Sequence, residues 1–267
     1  LKQDSITING IGTRNQRSTK VDIRLDISTG GVMAPRTSSQ ISLKYEAPQF
    51  AQAVGLQFDR FANIFEPLGI ANYTADEAEF NKAIFGSFPN ILSKRFDSRA
   101  SIMESNEVKA LKSQAAKIFQ GRILSQLTNL LQQPGFKQTL ANYVRSKATL
   151  DESGVELVKF LKDGTSITQT FDQEFIDNIT SSEWEAEYTF SDNPTIIVFK
   201  KGGNRRSEKL LQFRYRADAR LNKSDNTFNI LMRTYVEAGP LIYTLRQKLK
   251  DYKPRDYLLL TGDPAII

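Results

Sequence analysis

A helix-period stripe flanked by strand-period segments is the feature that most constrains this chain. Val108, Leu111, Ala115, Phe119, Ile123, Leu127 and Leu130 recur every three or four residues. That spacing lines one helix face, and it predicts a helical middle over 98–147 broken at Pro134-Gly135. Ahead of it, Val21, Ile23, Leu25 and Ile27 alternate with Asp22, Arg24 and Asp26, and Ile41, Leu43 and Tyr45 alternate with Gln40, Ser42, Lys44 and Glu46. A two-residue period belongs to strands with one buried face, and 5–8 reads as a further strand. Behind it, 185–190, 195–200, 209–217 and 227–236 read as antiparallel strands. Asp192-Asn193-Pro194 and Gly202-Gly203-Asn204 supply turn chemistry between them.

Shorter signals fill the gaps. Pro48 suits the first turn of a helix carrying Phe50, Val54, Phe58 and Phe61 or Ala62. Further helices are expected over 74–86, over 151–162 with Leu157, Val158 and Leu161 inward, and over 241–249, with a closing strand at 257–260. Trp184, at the start of a strand, is expected in the core. The expected architecture is α+β: a mixed sheet flanked by helices in 1–180, and an antiparallel, strand-rich portion in 181–267, in the same domain or as a subdomain.

Two absences narrow the chemistry. With no cysteine there is neither a disulfide framework nor a thiolate metal site, and with no histidine the usual zinc ligand and the imidazole base are missing. What remains is carboxylate, lysine, tyrosine or hydroxyl chemistry, and carboxylates favour hard cations such as Mg²⁺ or Mn²⁺. The net charge of +6 suits a polyanionic partner without requiring one, because 36 basic residues face 30 acidic ones. The sequence has neither an apolar run of membrane-spanning length nor a signal-like N-terminus, so no membrane partner and a cytoplasmic location are expected, host cytoplasm if the chain is viral.

If the two early strands pair, Asp22 and Asp26 share a polar face with Ser42, Lys44 and Glu46. An acid that holds a divalent ion beside a lysine that orients water or phosphate is the minimum apparatus for cutting a phosphodiester. Lys20-Val21-Asp22-Ile23 followed by Gln40-Ile41-Ser42-Leu43-Lys44-Tyr45 resembles the PD-(D/E)xK nuclease superfamily, and phage-encoded members with a Lys-x-Asp … Ser-Leu-Lys pattern in particular. Gln49 and Gln52 are similar to the glutamine placement after the lysine in some branches. The resemblance covers 18–55. It implies a restriction-endonuclease-like core, DNA as substrate, endonuclease or exonuclease activity, and Mg²⁺ (or Mn²⁺). Asp22 would be a metal ligand and Lys44 the water- or phosphate-positioning group. Ser42 stands where the family has its second acid. Replacement by Glu46 or Asp26 on the same face, by a helix acid, or by a residue upstream of Leu1 all remain open. So do a catalytically inactive DNA-binding or assembly protein, viral or otherwise, a structural subunit, and a solvated face of cross-strand ion pairs. The oligomeric state is open, a homodimer included.

Nine basic residues fall between 200 and 223, against Glu208 and Asp218: Lys200, Lys201, Arg205, Arg206, Lys209, Arg214, Arg216, Arg220 and Lys223. Arg214 and Arg216 alternate with Phe213 and Tyr215, so they would share a face and could follow a phosphate backbone, with Lys200, Lys201, Arg205 and Arg206 at a hairpin tip. The same residues also describe an edge protected by charge. Neither Lys200-Lys201-Gly202-Gly203 nor Gly10-Ile11-Gly12 has the spacing of a nucleotide-binding loop.

Overall fold

The computed structural model describes residues 5–10, 22–28, 37–45, 56–58, 62–70, 85–149, 155–160, 166–205 and 208–238. They form an α+β protein with two sheets. The first contains β1 (Ser5–Gly10), β2 (Ile23–Ser28), β3 (Thr37–Tyr45), β6 (Val155–Phe160) and β7 (Ser166–Gln169), in that spatial order. β1, β2 and β3 run as an antiparallel meander, β6 lies parallel to β3, and β7 is antiparallel to β6. The sheet is therefore mixed.

The second sheet is antiparallel and follows the order β4 (Leu56–Phe58), β11 (Thr227–Ala238), β10 (Lys209–Asn222), β9 (Pro194–Lys200), β8 (Trp184–Phe190), with β5 (Arg95–Phe96) also on β11. Between β3 and β6 in sequence come α1 (Ala62–Phe65), α2 (Arg99–Glu104), α3 (Asn106–Ile118), α4 (Ser125–Leu131) and α5 (Phe136–Thr149), and α6 (Gln173–Ser181) follows β7. Local chemistry sets their starts. Ser98 and Ser101 cap α2 reciprocally, each hydroxyl accepting from the other's amide, and the Asp172 carboxylate accepts from the Phe175 amide at 3.1 Å to open α6.

The long apolar stripe belongs to this second sheet. Leu111, Ala115, Phe119, Ile123 and Leu127 are all fully buried, in one core with Ile196, Val198, Leu211 and Phe213. Each four-residue step overshoots an α-turn by about 40°, so a plain helix would rotate the last residues off the core. A π-helical segment at Phe119–Leu124, joining α3 to α4, absorbs that drift. Rings fill the centre: Phe65 lies edge-on to Phe119 at 6.3 Å and 5.2 Å from Phe213, and Phe119 is 6.1 Å from Tyr215. Trp184 is buried as expected, its indole N–H donating to the Ile179 carbonyl at 2.8 Å.

Three expectations need correction. The segment 151–162, expected as a helix, contributes β6. Val155-Glu156-Leu157-Val158-Lys159-Phe160 is six residues long, too short for periodicity to separate helix from strand, and β3 and β7 capture it. Phe58, expected on the helix after Pro48, is in β4, whose pairing with Thr234–Val236 overrides the four-residue spacing. Lys209, counted with the surface cations, is buried. β10 shifts register against β9 between Lys209 and Leu211, which turns Lys209 inward to donate to Gln212 Oε1 at 2.6 Å. β7 and α6 had no counterpart in the sequence reading. The helix of 241–249, the strand of 257–260 and most of 74–86 lie outside the described residues. No helix among the described residues is long and apolar enough to cross a membrane.

Candidate nuclease-type site and cationic face

β2 and β3 pair as neighbours, with Ile23 level with Ile41 and Asp26 level with Ser38. Asp22 sits one residue ahead of β2. Its amide donates to the Ile41 carbonyl at 2.8 Å, and its carboxylate Oδ2 accepts from the Leu43 amide at 2.7 Å. The reason is local: β2 begins at Ile23, so the β3 amide one pair further on would lose its ladder partner, and the side chain of Asp22 supplies one. Asp22 is thereby held half-buried against the β3 backbone, at the residue that adjoins Lys44.

The parallel register sets Ser42 level with Leu157 and Lys44 level with Lys159. Lys159 was not anticipated as a neighbour of Lys44, because nothing in the sequence identifies 155–160 as the adjacent strand. Glu156 also belongs to β6 but is level with Ile41, out of phase with Ser42 and Lys44, and burial pushes its carboxyl up. Asp26 lies four residues along β2 from Asp22, roughly 13 Å at about 3.3 Å per residue, too far for one cation with bonds of about 2.1 Å to bridge both. Glu46 lies outside the described residues. No group of three or more acids that could hold a metal ion occurs among the described residues.

On the second sheet, Arg214 and Arg216 alternate with buried Phe213, Tyr215 and Ala217, so the two arginines share the other face of β10. Both are engaged. Arg214 Nη2 meets Glu237 Oε2 at 3.2 Å, while Arg216 donates through Nε and Nη2 to Asp218 Oδ1 at 3.0 and 2.9 Å. The Arg216 guanidinium also lies 4.4 Å over the Tyr235 ring, and the Tyr235 hydroxyl donates to Asp218 Oδ2. Burial, together with that carboxylate, pushes the Tyr235 phenol up to about 12. At the hairpin tip, Lys201 is exposed, Lys200 is half-buried, and Arg205 pairs with Glu187 at 2.7 Å. Gly202 takes φ +72°, and a Cβ on Gly203 would fall 2.3 Å from Glu208 Oε2. Arg206 lies outside the described residues.

Beside Arg216 the face is concave. A cavity of about 580 Å³ is lined by Arg99, Arg216, Arg220, Arg233, Asp218 and Tyr235, among others. Sequence reasoning missed Arg99 and Arg233, which come from α2 and β11; only the β10–β11 register, with Arg216 directly opposite Arg233, brings the latter in. No protein-family model, curated protein or solved structure matches the chain.

Proposed function

We propose that the chain is a divalent-metal-dependent deoxyribonuclease of the PD-(D/E)xK type, with a restriction-endonuclease-like core built on the mixed sheet. The observation that carries the reading is the Asp22 carboxylate fixed on the β3 backbone next to Lys44. The antiparallel meander with a parallel fourth strand supports it, since that framework holds both residues on neighbouring central strands. The donor set fits Mg²⁺ or Mn²⁺, because such ions keep several waters and are commonly held by one or two carboxylates plus substrate phosphates. Bound there, the ion would supply Lewis-acid stabilisation of charge developing on the phosphate. Asp22 holds one ligand oxygen in place through its hydrogen bond to Leu43, Lys44 orients water or a phosphate oxygen, and Lys159 adds a second cation at the same register. Arg214, Arg216, Lys200 and Lys201 contact the DNA backbone.

A second reading, a DNA-binding or assembly protein without cleavage, is favoured by Ser42 at the second-acid position and by the engagement of Asp22 Oδ2 with the backbone. Incubating supercoiled plasmid with Mg²⁺ or Mn²⁺ separates the two. The nuclease reading expects nicking that falls at least about 100-fold, several kcal/mol in barrier, in Asp22→Asn and in Lys44→Ala. Undiminished cleavage in both variants would remove the site assignment. No cleavage by the wild type, with binding that weakens as salt rises and in Arg214→Ala/Arg216→Ala, would favour the second reading.

A further inference from the structure

We infer that the concavity bounded by Arg99, Arg216, Arg220 and Arg233 is a binding site for a compact polyphosphate, a ligand with two or more adjacent phosphoryl groups. It stands apart from the Asp22–Lys44 site and does not rest on the nuclease reading. Three observations converge on it.

The first is charge. Four guanidiniums line the cavity with Asp218 as the one carboxylate among its lining residues. Lys112, on α3, lies close enough for Arg216 to repel its ammonium. Concave walls concentrate such a field.

The second is register. Arg216 and Arg233 stand directly across the β10–β11 ladder, which brings guanidiniums from two neighbouring strands to the same cavity wall.

The third is preorganisation. Arg216 is fixed by two hydrogen bonds to Asp218 and by the Tyr235 ring beneath it, while Tyr235 holds the other oxygen of Asp218. Asp218 therefore acts as a brace that orients the fork, and a guanidinium has further donors with which to meet phosphate oxygens. Arg99 and Arg220 are exposed on either side and make no ion pair with a described residue, so they can close on a ligand. About 580 Å³ is within the size of cavities that hold a nucleotide-sized molecule.

Duplex DNA presents singly charged phosphates strung along a groove. This cup instead converges several forks on one place, which matches concentrated charge. The phosphoryl chain could come from a free nucleotide or from inorganic polyphosphate.

Isothermal titration of the full chain with orthophosphate, tripolyphosphate and a nucleoside triphosphate tests the inference. Tripolyphosphate should bind at least about tenfold more tightly than orthophosphate, and Arg99→Ala/Arg220→Ala should weaken it by about tenfold or more. Tighter binding of the triphosphate than of tripolyphosphate would assign the nucleotide as source; equal binding would assign the phosphoryl chain alone. Lys117→Ala/Lys223→Ala removes the same charge from exposed residues outside the cavity and should leave affinity unchanged. An equal loss in this control, or no binding of tripolyphosphate by the wild type, overturns the inference. Loss of DNA binding in Arg99→Ala/Arg220→Ala without any tripolyphosphate binding also overturns it and makes the concavity part of a DNA track.

Discussion

On the proposed nuclease reading, Asp22 has a structural role and a metal-holding role that substitution can separate. Its Oδ2 accepts from the Leu43 amide at 2.7 Å, a charge-assisted bond to a backbone group with no strand partner on that side. Such bonds contribute about 1.5–3 kcal/mol, and the half-exposed setting puts this one near the lower end. Asp22→Ala leaves the amide without the acceptor and is expected to cost about 2 kcal/mol. Asp22→Asn keeps a neutral oxygen at the same reach and should cost about 1 kcal/mol. At about 2–4 °C per kcal/mol for chains of this size, Ala should melt about 2–4 °C below Asn. On that reading cleavage should follow a different order, because a neutral amide is a poor ligand for a hard cation: both variants should be inactive, Asn as fully as Ala. Thermal melts followed by circular dichroism, beside the plasmid assay, read the two roles independently. If Ala and Asn melt together at the wild-type temperature, the backbone bond has no energetic weight. If Asn melts as wild type and also cuts as wild type, the carboxylate charge has no catalytic one.

Three further outcomes follow from the second sheet. Leu111→Ala, at a fully buried position against the sheet, is expected to lose about 2–5 kcal/mol in urea unfolding, and a loss below about 1 kcal/mol would contradict the packing described for the stripe. Trp184→Phe keeps most of the apolar volume but removes the indole donor to the Ile179 carbonyl, which retains only the Ser182 amide at 3.3 Å, so about 1 kcal/mol should go, with an unchanged midpoint as the refuting result. Burial raises the phenols of Tyr143 and Tyr215, and Tyr235 is pushed up to about 12, so the fold disfavours the phenolate. Their stabilisation is complete below the unfolded value of about 10 and is lost as pH rises from there towards the folded values. Phenolate absorbance should therefore lag the unfolded curve until the circular dichroism signal collapses, whereas all nine tyrosines titrating together near 10 in a native spectrum would refute it.

The α+β class was legible because its evidence was long and periodic. The stripe from Val108 to Leu127 and the alternations in 209–217 and 227–236 each span several turns or pleats, and the elements found there agree with them. Errors fell on short segments. Val155–Phe160 and Leu56–Phe58 are strands because distant partners recruit them, and neither partner is visible in six or three residues of local pattern. Asp172 with Phe175, Ile176 and Ile179 did carry a cap and a helical face, so α6 was readable and overlooked. For the candidate site, alternation singled out Asp22 and Lys44 as candidates but not the bond that ties Asp22 to Leu43, which depends on β2 beginning only at Ile23. Arg233 entered the cationic cup only through register, a property of two strands together.

The parallel pairing of residues 40–45 with 155–160 has a consequence for how the protein is made. During synthesis, the meander β1–β2–β3 emerges long before the strand that closes its other side, and the intervening chain includes α1–α5. Until then β3 presents an unsatisfied edge at the very strand that bears Lys44, open to strands of other nascent chains. Closing so long a loop is expected to make this sheet slow to form. A chain truncated before 155 lacks β6 and all of β8–β11, so it should keep no complete sheet and should aggregate through β3.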